Sequence, residues 1–346
     1  MPSDDILAPM DNMGSAPMPN NGPYRMQAGD FRWPNGAYVA IVFNMSWESW
    51  PKALGTSNNR QRAGEVVPAN AKYGRNPRII YEHAYGETAG MQRLLDIWQR
   101  HGIRPSCYAD GLNVHLYPDL ARHAAALGTE FLAQGWDHTY LWDQTVQEQI
   151  DSIERTVTTF EKVLGHKPAG FSASGGTITG ESVGLLAERG FKYVCGFRNT
   201  DVPFIIRAGN RKMVGMNSYA LCDYNSYSHS DASPRDVVQM FVDFFDTVYE
   251  EGQRGYPKML AYGTHPFLSQ GHRTRPMEEA IRYVQSKPNV WIATRGEIAD
   301  WVLQSYPEHD LATFYPEAVN SDKWYGLSLG VGGDEAIAEA LSYRKE

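Results

Sequence analysis

The spacing of apolar residues changes repeatedly between residues 30 and 305. The run YVAIVF at residues 38–43 is wholly apolar and rich in branched and aromatic side chains, which is typical of a strand buried on both faces of a parallel sheet. The segment MQRLLDIWQRHGI at residues 91–103 instead places its apolar side chains along one face of a helix. The two patterns predict a strand and then a helix.

The same alternation continues through this region. Further strands are predicted at residues 105–110, 129–135, 168–173, 192–197 and 257–265, and further helices at residues 118–128, 147–165, 181–190 and 238–252. Residues 280–288 and 290–303 complete the series. About seven or eight strands that alternate with helices predict an α/β fold with a parallel barrel, whose functional residues lie at the carboxyl ends of the strands. The rival, an open doubly wound sheet, lacks its glycine-rich phosphate loop after the first strand.

The composition fits one large domain with two tails. The chain has 346 residues, of which 42% are apolar and 12% aromatic, enough to bury one barrel-sized core or two smaller ones. Residues 1–29 are rich in Pro, Met, Asn and Gly without periodicity, which predicts a flexible amino-terminal arm. Residues 30–305 form the predicted catalytic barrel, and residues 306–346 form a carboxyl-terminal extension.

Charge and cysteine usage narrow the range of partners. A net charge of −8 and a pI near 5.7 argue against nucleic acid or an anionic membrane and favour a small-molecule substrate. Cys107, Cys195 and Cys222 are far apart, which predicts neither a disulfide framework nor a thiolate metal site. No secretory signal or membrane-length apolar run is found in the sequence, so we expect a cytoplasmic location.

Gln134 and His138 follow a predicted strand at a spacing of four residues, which can present two side chains to one metal ion. Glutamine is a poorer zinc ligand than imidazole. Gln134, His138 and a carboxylate such as Glu48 would therefore make a weakened site for zinc or another divalent cation. The alternative is that His138 and the adjacent Asp137 make only local hydrogen bonds at a strand end.

His265 and Glu48 are the other two candidates for chemistry. His265 ends a predicted strand in YGTHPF, just before a predicted Gly- and Arg-containing loop that ends in QGHRTRP, and an imidazole there can donate a proton to a leaving nitrogen near neutral pH. Glu48 follows the first strand between Trp47 and Trp50, where a carboxylate can act as a base or a ligand. The alternatives are a histidine that caps a strand and a solvated loop glutamate.

The order and spacing of these segments resemble the polysaccharide deacetylase superfamily over about residues 30–305, in particular its branch similar to bacterial metal-independent allantoinases and cyclic imidases. The segments that carry the resemblance are FNMSWE, YEHAYGETAGMQRLLDIWQRHGI, LAQGWDHTYL, LLAERGFKYVCGF, FDTVYEEG, MLAYGTHPF and VWIATRGEIADWVL. The resemblance implies a deformed (β/α) barrel, usually of seven strands, that hydrolyses carbon–nitrogen amide bonds.

The resemblance also implies a metal site from which this chain departs. Ordinary members hold a divalent metal, often zinc, through an aspartate after the first strand and two histidines at HxxxH spacing, with a neighbouring aspartate as base. Here Asn44 and Met45 replace the paired aspartates, and Gln134 replaces the first histidine. His138 keeps a ligand identity, and His265 matches the histidine that acts as general acid. Tight zinc binding loses its main support, and a metal-free route becomes an alternative.

In the metal-free hypothesis, Glu48 or Asp137 takes a proton from water and His265 protonates the departing ring nitrogen. The candidate donors of hydrogen bonds to the developing oxyanion are Gln134, Asn44 and His138. One such donor is worth about 3 kcal/mol. A cyclic imide or hydantoin-like ring is more reactive than a sugar acetamide and tolerates a weaker catalyst. The leading prediction is therefore a hydrolase that opens a small cyclic amide or imide.

Substrate contacts are predicted from the resemblance and from residues near the strand ends. The segment similar to the allantoinase-like branch contributes Tyr81, Tyr85, Glu87 and Arg93. The aromatic residues expected to wall a pocket are Trp47, Trp50, Trp136 and Phe267, with core packing as the alternative for each. The polar candidates are Asn44, Asn217, Asp223 and Arg273, the last of which suits a carboxylate or carbonyl.

Other functions stay open at this point. One is metal-dependent N-deacetylation of a sugar or peptidoglycan unit, which the missing metal triad and export signal disfavour. Another is a catalytically inactive relative that binds a small molecule, and Gln134 can also be an inactivating change in a metal enzyme. Because members of the allantoinase-like branch often form homo-tetramers, the resemblance implies a homo-oligomer.

Overall fold

A computed structural model describes residues 31–309, except residues 53, 55, 57–67, 69, 199, 209, 219–220 and 231. The predicted arm at residues 1–29 and most of the predicted extension at residues 306–346 lie outside the described residues. In the part that is described, no helix has the length and apolar character needed to cross a membrane.

The strands form one mostly parallel sheet. They are β1 (Val39–Trp47), β2 (Ser106–Ala109), β3 (Glu130–Ala133), β4 (Gly170–Ser172), β5 (Tyr193–Phe197), β6 (Phe204–Ala208), β7 (Arg211–Asn217), β8 (Leu221–Cys222), β9 (Lys258–Thr264) and β10 (Val290–Ile292). Their order is β6-β7-β5-β4-β3-β2-β1-β9-β8, with β10 beside β1. The recorded pairs are parallel except β6 with β7.

Helices alternate with the strands, as the sequence pattern predicts. They are α1 (Pro77–His83), α2 (Met91–Arg100), α3 (Gly111–Leu116), α4 (Pro118–Ala126), α5 (Val146–Leu164), α6 (Gly180–Glu188), α7 (Pro234–Gln253), α8 (Gly271–Gln285) and α9 (Arg295–Ser305). The predicted α/β barrel-type fold is confirmed. Among the described residues, no backbone pairing joins the edge strands β6 and β8.

β1 is the central strand, because it pairs with β9 on one side and with both β10 and β2 on the other. All nine of its residues are buried. Successive side chains alternate between two faces. The odd-numbered residues, from Val39 to Trp47, belong to the cluster that packs against the helices, whereas Ala40 and Val42 belong to the interior cluster. Asn44 and Ser46 continue the inward-facing series toward the carboxyl end of the sheet.

Three elements differ from the sequence pattern. β1 continues four residues past the apolar run, since residues 44–47 pair with β2. Residues 271–276 of the predicted polar loop form the first part of α8, and Pro276 lies inside the helix. Burial of Pro276 and Met277 offsets the hydrogen bond that proline cannot donate. The antiparallel hairpin of β6 and β7 was not predicted.

A close contact joins the segment before α2 to the turn after β9. A π-helical turn, Gly86–Gly90, packs against Pro266–Leu268. A Cβ atom on Gly90 would lie 1.8 Å from the main-chain oxygen of Pro266, and one on Gly86 would lie 3.2 Å from the nitrogen of Phe267. Only glycine at position 90 allows this approach of the two backbones.

We expect Gly90→Ala to lower the free energy of unfolding by about 1–3 kcal/mol, because a backbone oxygen cannot move aside as a flexible side chain does. Urea denaturation measured by far-ultraviolet circular dichroism checks this. Gly184→Ala in α6 is the control: nothing lies within 4 Å of its Cβ, so alanine should stabilise that helix by roughly 0.5–1 kcal/mol. Equal stability of Gly90→Ala and wild type would show that the contact is not tight.

Candidate active site

Glu48 lies where β1 ends, just past the inward-facing Asn44 and Ser46. Its side chain is only 3% exposed. Oε1 of Glu48 lies 3.5 Å from Nε2 of His265 and 3.7 Å from Nε2 of His138. One carboxylate oxygen therefore faces two imidazole rings, which come from opposite sides of β1 in the sheet.

His265 is held by Asp223, which follows β8. β8 and β9 pair with Cys222 opposite Gly263, so Asp223 comes beside the end of β9. Oδ1 of Asp223 accepts from Nδ1 of His265 at 2.7 Å, and Oδ2 accepts from its main-chain nitrogen at 2.7 Å. Oδ1 thus fixes the ring of His265 and Oδ2 fixes its main chain, and the other ring nitrogen faces Glu48.

His138 has a similar but looser arrangement. Its Nδ1 lies 3.7 Å from Oδ2 of Asp110, which is longer than a hydrogen bond. Asp110 follows β2, is fully buried and accepts from the main-chain nitrogen of Ser49 at 2.7 Å. The ring of His138 packs on Trp50 with 4.1 Å between centroids. The carboxyl ends of β1, β2 and β3 therefore contribute Glu48, Asp110 and His138 to one place.

A third histidine, His83, joins the group from the last turn of α1. Its ring stacks on Phe267 with centroids 4.5 Å apart, and Phe267 contacts His265 edge-on at 5.5 Å. Nε2 of His83 is buried and has no hydrogen-bond partner among the described residues. The Gly86–Gly90 turn brings α1 to this place.

The three histidines of the site have differently shifted pKa values. Burial opposes the charge of His265, but Asp223, followed by Cys222 and Glu48, outweighs it and holds the pKa of His265 well above its usual 6.5. Burial likewise opposes the charge of His138, and Glu48 and Asp110 raise its pKa. Burial lowers the pKa of His83 to about 4. These shifts favour the protonated ring at His265 and the neutral ring at His83.

Asp110 is the buried acid of the group. Loss of hydration raises its pKa to about 6, although His138 and the Ser49 nitrogen stabilise the charged form. Oδ1 of Asp110 and Nδ1 of His138 have no hydrogen-bond partner among the described residues. This pair is consequently the least satisfied part of the site.

Several predicted substrate contacts surround this centre. Oδ1 of Asn44 accepts from Nε of the buried Arg295 at 3.1 Å, while its Nδ2 is buried without a partner in the described part of the chain. Nε1 of Trp47 donates to Oε1 of Glu87 at 2.9 Å, and burial raises the pKa of Glu87. Phe267 separates two imidazoles, as described above.

Other predicted residues make contacts elsewhere. Tyr81 is 76% exposed on α1. Trp136 stacks under the guanidinium of Arg155 at 3.5 Å. Arg273 lies over the ring of Tyr227 at 5.2 Å.

Three further predictions lie in local networks. Arg93 donates to the main-chain oxygen of Ser269 and to the hydroxyl of Tyr85. Nδ2 of Asn217 donates to the oxygen of Met259 at 3.3 Å. The recorded bonds of Asp137 come from Thr139, two residues along the chain, which is a local turn.

The residues do not fit the metal site that the resemblance implies. Glu48 and His138 provide two donors 3.7 Å apart. Gln134 is buried, but no described residue donates to its Oε1, and an amide oxygen is a weak zinc ligand. The group Gln134, His138 and Glu48 therefore stays a prediction, and we derive no reaction step through a metal.

Sequence reasoning missed His83 and Asp110 as members of the site. Asp110 is the last residue of the predicted strand PSCYAD, so the rule of polar residues at strand ends indicates it. His83 lies on a helix, and no local pattern distinguishes it. Its position depends on the contact between Gly90 and Pro266.

Known proteins share the fold of this chain. Residues 79–194 match the polysaccharide deacetylase family. A peptidoglycan deacetylase of Helicobacter pylori is 22% identical over 273 residues, 67% of this chain and 90% of that protein. A Schizosaccharomyces pombe protein with a polysaccharide deacetylase name is 23% identical over 305 residues, 80% and 93% of the two chains. The crystal structure of PuuE allantoinase has a TM-score of 0.69 at 22% identity, covering 80% of this chain and 93% of the other.

We expect Asp223→Asn to remove a pH-dependent stabilisation. Because the folded chain holds the pKa of His265 above 6.5, the stabilisation is fully present below about pH 6.5 and is lost as pH rises through the folded pKa. The loss of unfolding free energy in the variant should therefore be largest below about pH 6.5 and should decrease as the pH rises above it. Urea unfolding at several pH values measures it.

The exposed carboxylate of Asp243 on α7 provides a control, since Asp243→Asn should show no such trend. Nuclear magnetic resonance of the ring nitrogens gives a direct reading: His265 should titrate at lower pH in Asp223→Asn. An unchanged titration would mean that Asp223 does not set the charge of His265.

Proposed function

We propose that the chain, whose residues 79–194 match the polysaccharide deacetylase family, is a metal-independent hydrolase that opens a small cyclic amide or imide, such as an allantoin- or hydantoin-like ring. The match to this family supports the coarser activity, hydrolysis of a carbon–nitrogen bond. The observation that carries the finer proposal is the position of Glu48 between His138 and His265, two imidazoles that each face a second buried carboxylate.

His265 is the general acid in this proposal. Its raised pKa favours the protonated ring, and Asp223 binds Nδ1, so the proton available to a substrate is on Nε2. Opening a ring requires a proton on the departing nitrogen, and an imidazolium supplies it. After this transfer the imidazole of His265 is neutral, and its hydrogen bond to Asp223 keeps the imidazole in the same orientation.

Glu48 is the general base. Its Oε1 lies 3.5 Å from Nε2 of the acid. The attacking water oxygen and the leaving nitrogen are bonded to the same tetrahedral carbon, so their two proton partners have to be neighbours. Glu48 meets this requirement, whereas the recorded hydrogen bonds of Asp137 join it to Thr139. We therefore place the base at Glu48.

Two groups can stabilise the oxyanion. Nε2 of His138 lies on the other side of Glu48, and its raised pKa favours the form that donates. Nδ2 of Asn44 is a buried donor without a partner in the described chain, and Arg295 fixes the other end of the amide. Each such donor is worth about 3 kcal/mol of transition-state stabilisation.

Burial favours a small substrate over a polymer. The side chains of Glu48, His138 and His265 are each no more than 4% exposed. A polysaccharide chain needs an open groove, whereas a small ring can be enclosed and desolvated. The fold of PuuE allantoinase supports the same proposal, although only at the level of the fold.

Peptidoglycan deacetylation is the second candidate, because of the named activity of the Helicobacter pylori relative. It predicts release of acetate from an N-acetylated sugar and dependence on a divalent metal. A small-molecule-binding protein without activity is the third. A homo-oligomer with a cytoplasmic location remains our expectation from the sequence.

The test is hydrolysis of a panel of hydantoins, cyclic imides and N-acetylated sugar oligomers by the full chain, with and without a chelator. We expect ring opening that the chelator does not change. We also expect Glu48→Gln and His265→Gln to lower kcat by about 10²–10⁴-fold each, as loss of a general base or acid does.

Asp137→Asn separates the two candidate carboxylates, since the proposal predicts little change in kcat. Circular dichroism of each variant shows whether it is folded. Chelator-sensitive release of acetate would replace the proposal with the deacetylase. Binding of a ring without turnover would replace it with the binding protein.

A further inference from the structure

A second group of donor atoms lies on the side of His265 that faces away from Glu48. Sγ of Cys222 lies 3.7 Å from Oδ1 of Asp223 and 3.9 Å from Nδ1 of His265. Nδ1 and Oδ1 are 2.7 Å apart. All three residues are buried, and in the part of the chain that the structure describes no other set of three His, Cys, Asp or Glu donors lies within 4.8 Å of one another.

We propose that Cys222, Asp223 and His265 bind one zinc or cadmium ion, and that the bound ion inhibits the enzyme. This ligand set differs from the one implied by the family resemblance, which uses the end of the first strand and the HxxxH segment. Here the ligands come from β8 and the end of β9. The binding is independent of the proposed function, and only the inhibition rests on it.

The separations are close to those of a tetrahedral zinc site. Metal bonds of about 2.0–2.3 Å place two ligand atoms about 3.3–3.6 Å apart. The two distances from Cys222 Sγ exceed this range by only a few tenths of an ångström. Nδ1 of His265 and Oδ1 of Asp223 have to separate by roughly 0.6 Å, as the proton between them is replaced by the ion.

The charges balance within the buried site. A divalent cation with one thiolate, one carboxylate and one neutral imidazole gives a neutral complex, so no uncompensated charge is buried. The thiol proton of Cys222 and the Nδ1 proton of His265 leave to solvent, and nothing is oxidised or reduced. A mixed sulfur, nitrogen and oxygen set suits zinc and cadmium rather than magnesium or calcium.

Inhibition follows from the loss of one ring proton. With a metal on Nδ1, the remaining proton of His265 is on Nε2, and giving it up would leave an imidazolate. His265 therefore no longer acts as an acid near neutral pH. Asp223 also stops orienting the ring, because its Oδ1 binds the ion.

The three buried cysteines provide matched variants, since Cys107 and Cys195 belong to no such group among the described residues. The experiment titrates cadmium chloride into the metal-free full chain and records the ultraviolet thiolate-to-cadmium charge-transfer band. We expect a band that saturates at one equivalent in wild type and in Cys195→Ser. The band should be absent in Cys222→Ser and in Cys222→Ala.

A band that persists in both Cys222 variants, or that disappears in Cys195→Ser, would overturn the proposal. Saturable cadmium binding that gives no charge-transfer band and is abolished by His138→Gln would also overturn it. The ion would then occupy the other candidate site, beside His138. Zinc inhibition is measured as a fraction of each variant's own metal-free rate. It should occur in wild type and Cys195→Ser but not in Cys222→Ser. A chain that opens no ring but shows the band would reject the proposed function and keep the metal site.

Discussion

The pair of hydrogen bonds from His265 to Asp223 is the interaction on which the rest of the site depends. One carboxylate accepts from both the main chain and the ring of the same residue. It therefore fixes the end of β9, selects the nitrogen that faces Glu48 and supplies the negative charge that keeps the ring protonated. A buried imidazolium without such a partner would lose its proton or its place in the fold.

Around this pair, acids and imidazoles alternate. Asp223, His265, Glu48, His138 and Asp110 follow one another across the carboxyl ends of β8, β9, β1, β3 and β2. Each imidazole lies between two acids, so the buried acidic and basic groups of the site can compensate one another's charge. The weakest link is between His138 and Asp110, where unpartnered atoms remain among the described groups.

The sequence predicts the centre of this arrangement but not its edges. Glu48, His138 and His265 follow predicted strands, and parallel strands bring their carboxyl ends together whatever the details of packing. Tyr81 and Trp136 show the limit of that reasoning, since the direction of a side chain on a helix or loop depends on neighbours that are distant in sequence. His83 was missed for the same reason, because a contact between segments that are distant in sequence brings it into the site.

In the fold, too, the features set by local sequence were predicted and those set by tertiary packing were not. The alternation of strands and helices is local and was predicted, whereas the start of α8 was mistaken for a loop because its Gly, Arg and Pro residues are typical of one. Burial of Thr274, Pro276 and Met277 stabilises the helix instead. This burial depends on packing against distant parts of the chain, which the local sequence does not reveal. The β6–β7 hairpin adds an antiparallel edge that no helix–strand alternation implies.

The contact between Gly90 and Pro266 has a consequence for the evolution of this protein. It joins the segment that carries His83 to the turn that begins at His265, so an insertion or a larger residue at position 90 would displace both histidines at once. New substrate preferences are therefore accessible mainly through side-chain exchanges within the present backbone. Remodelling of this loop would require compensating changes on both segments in the same lineage.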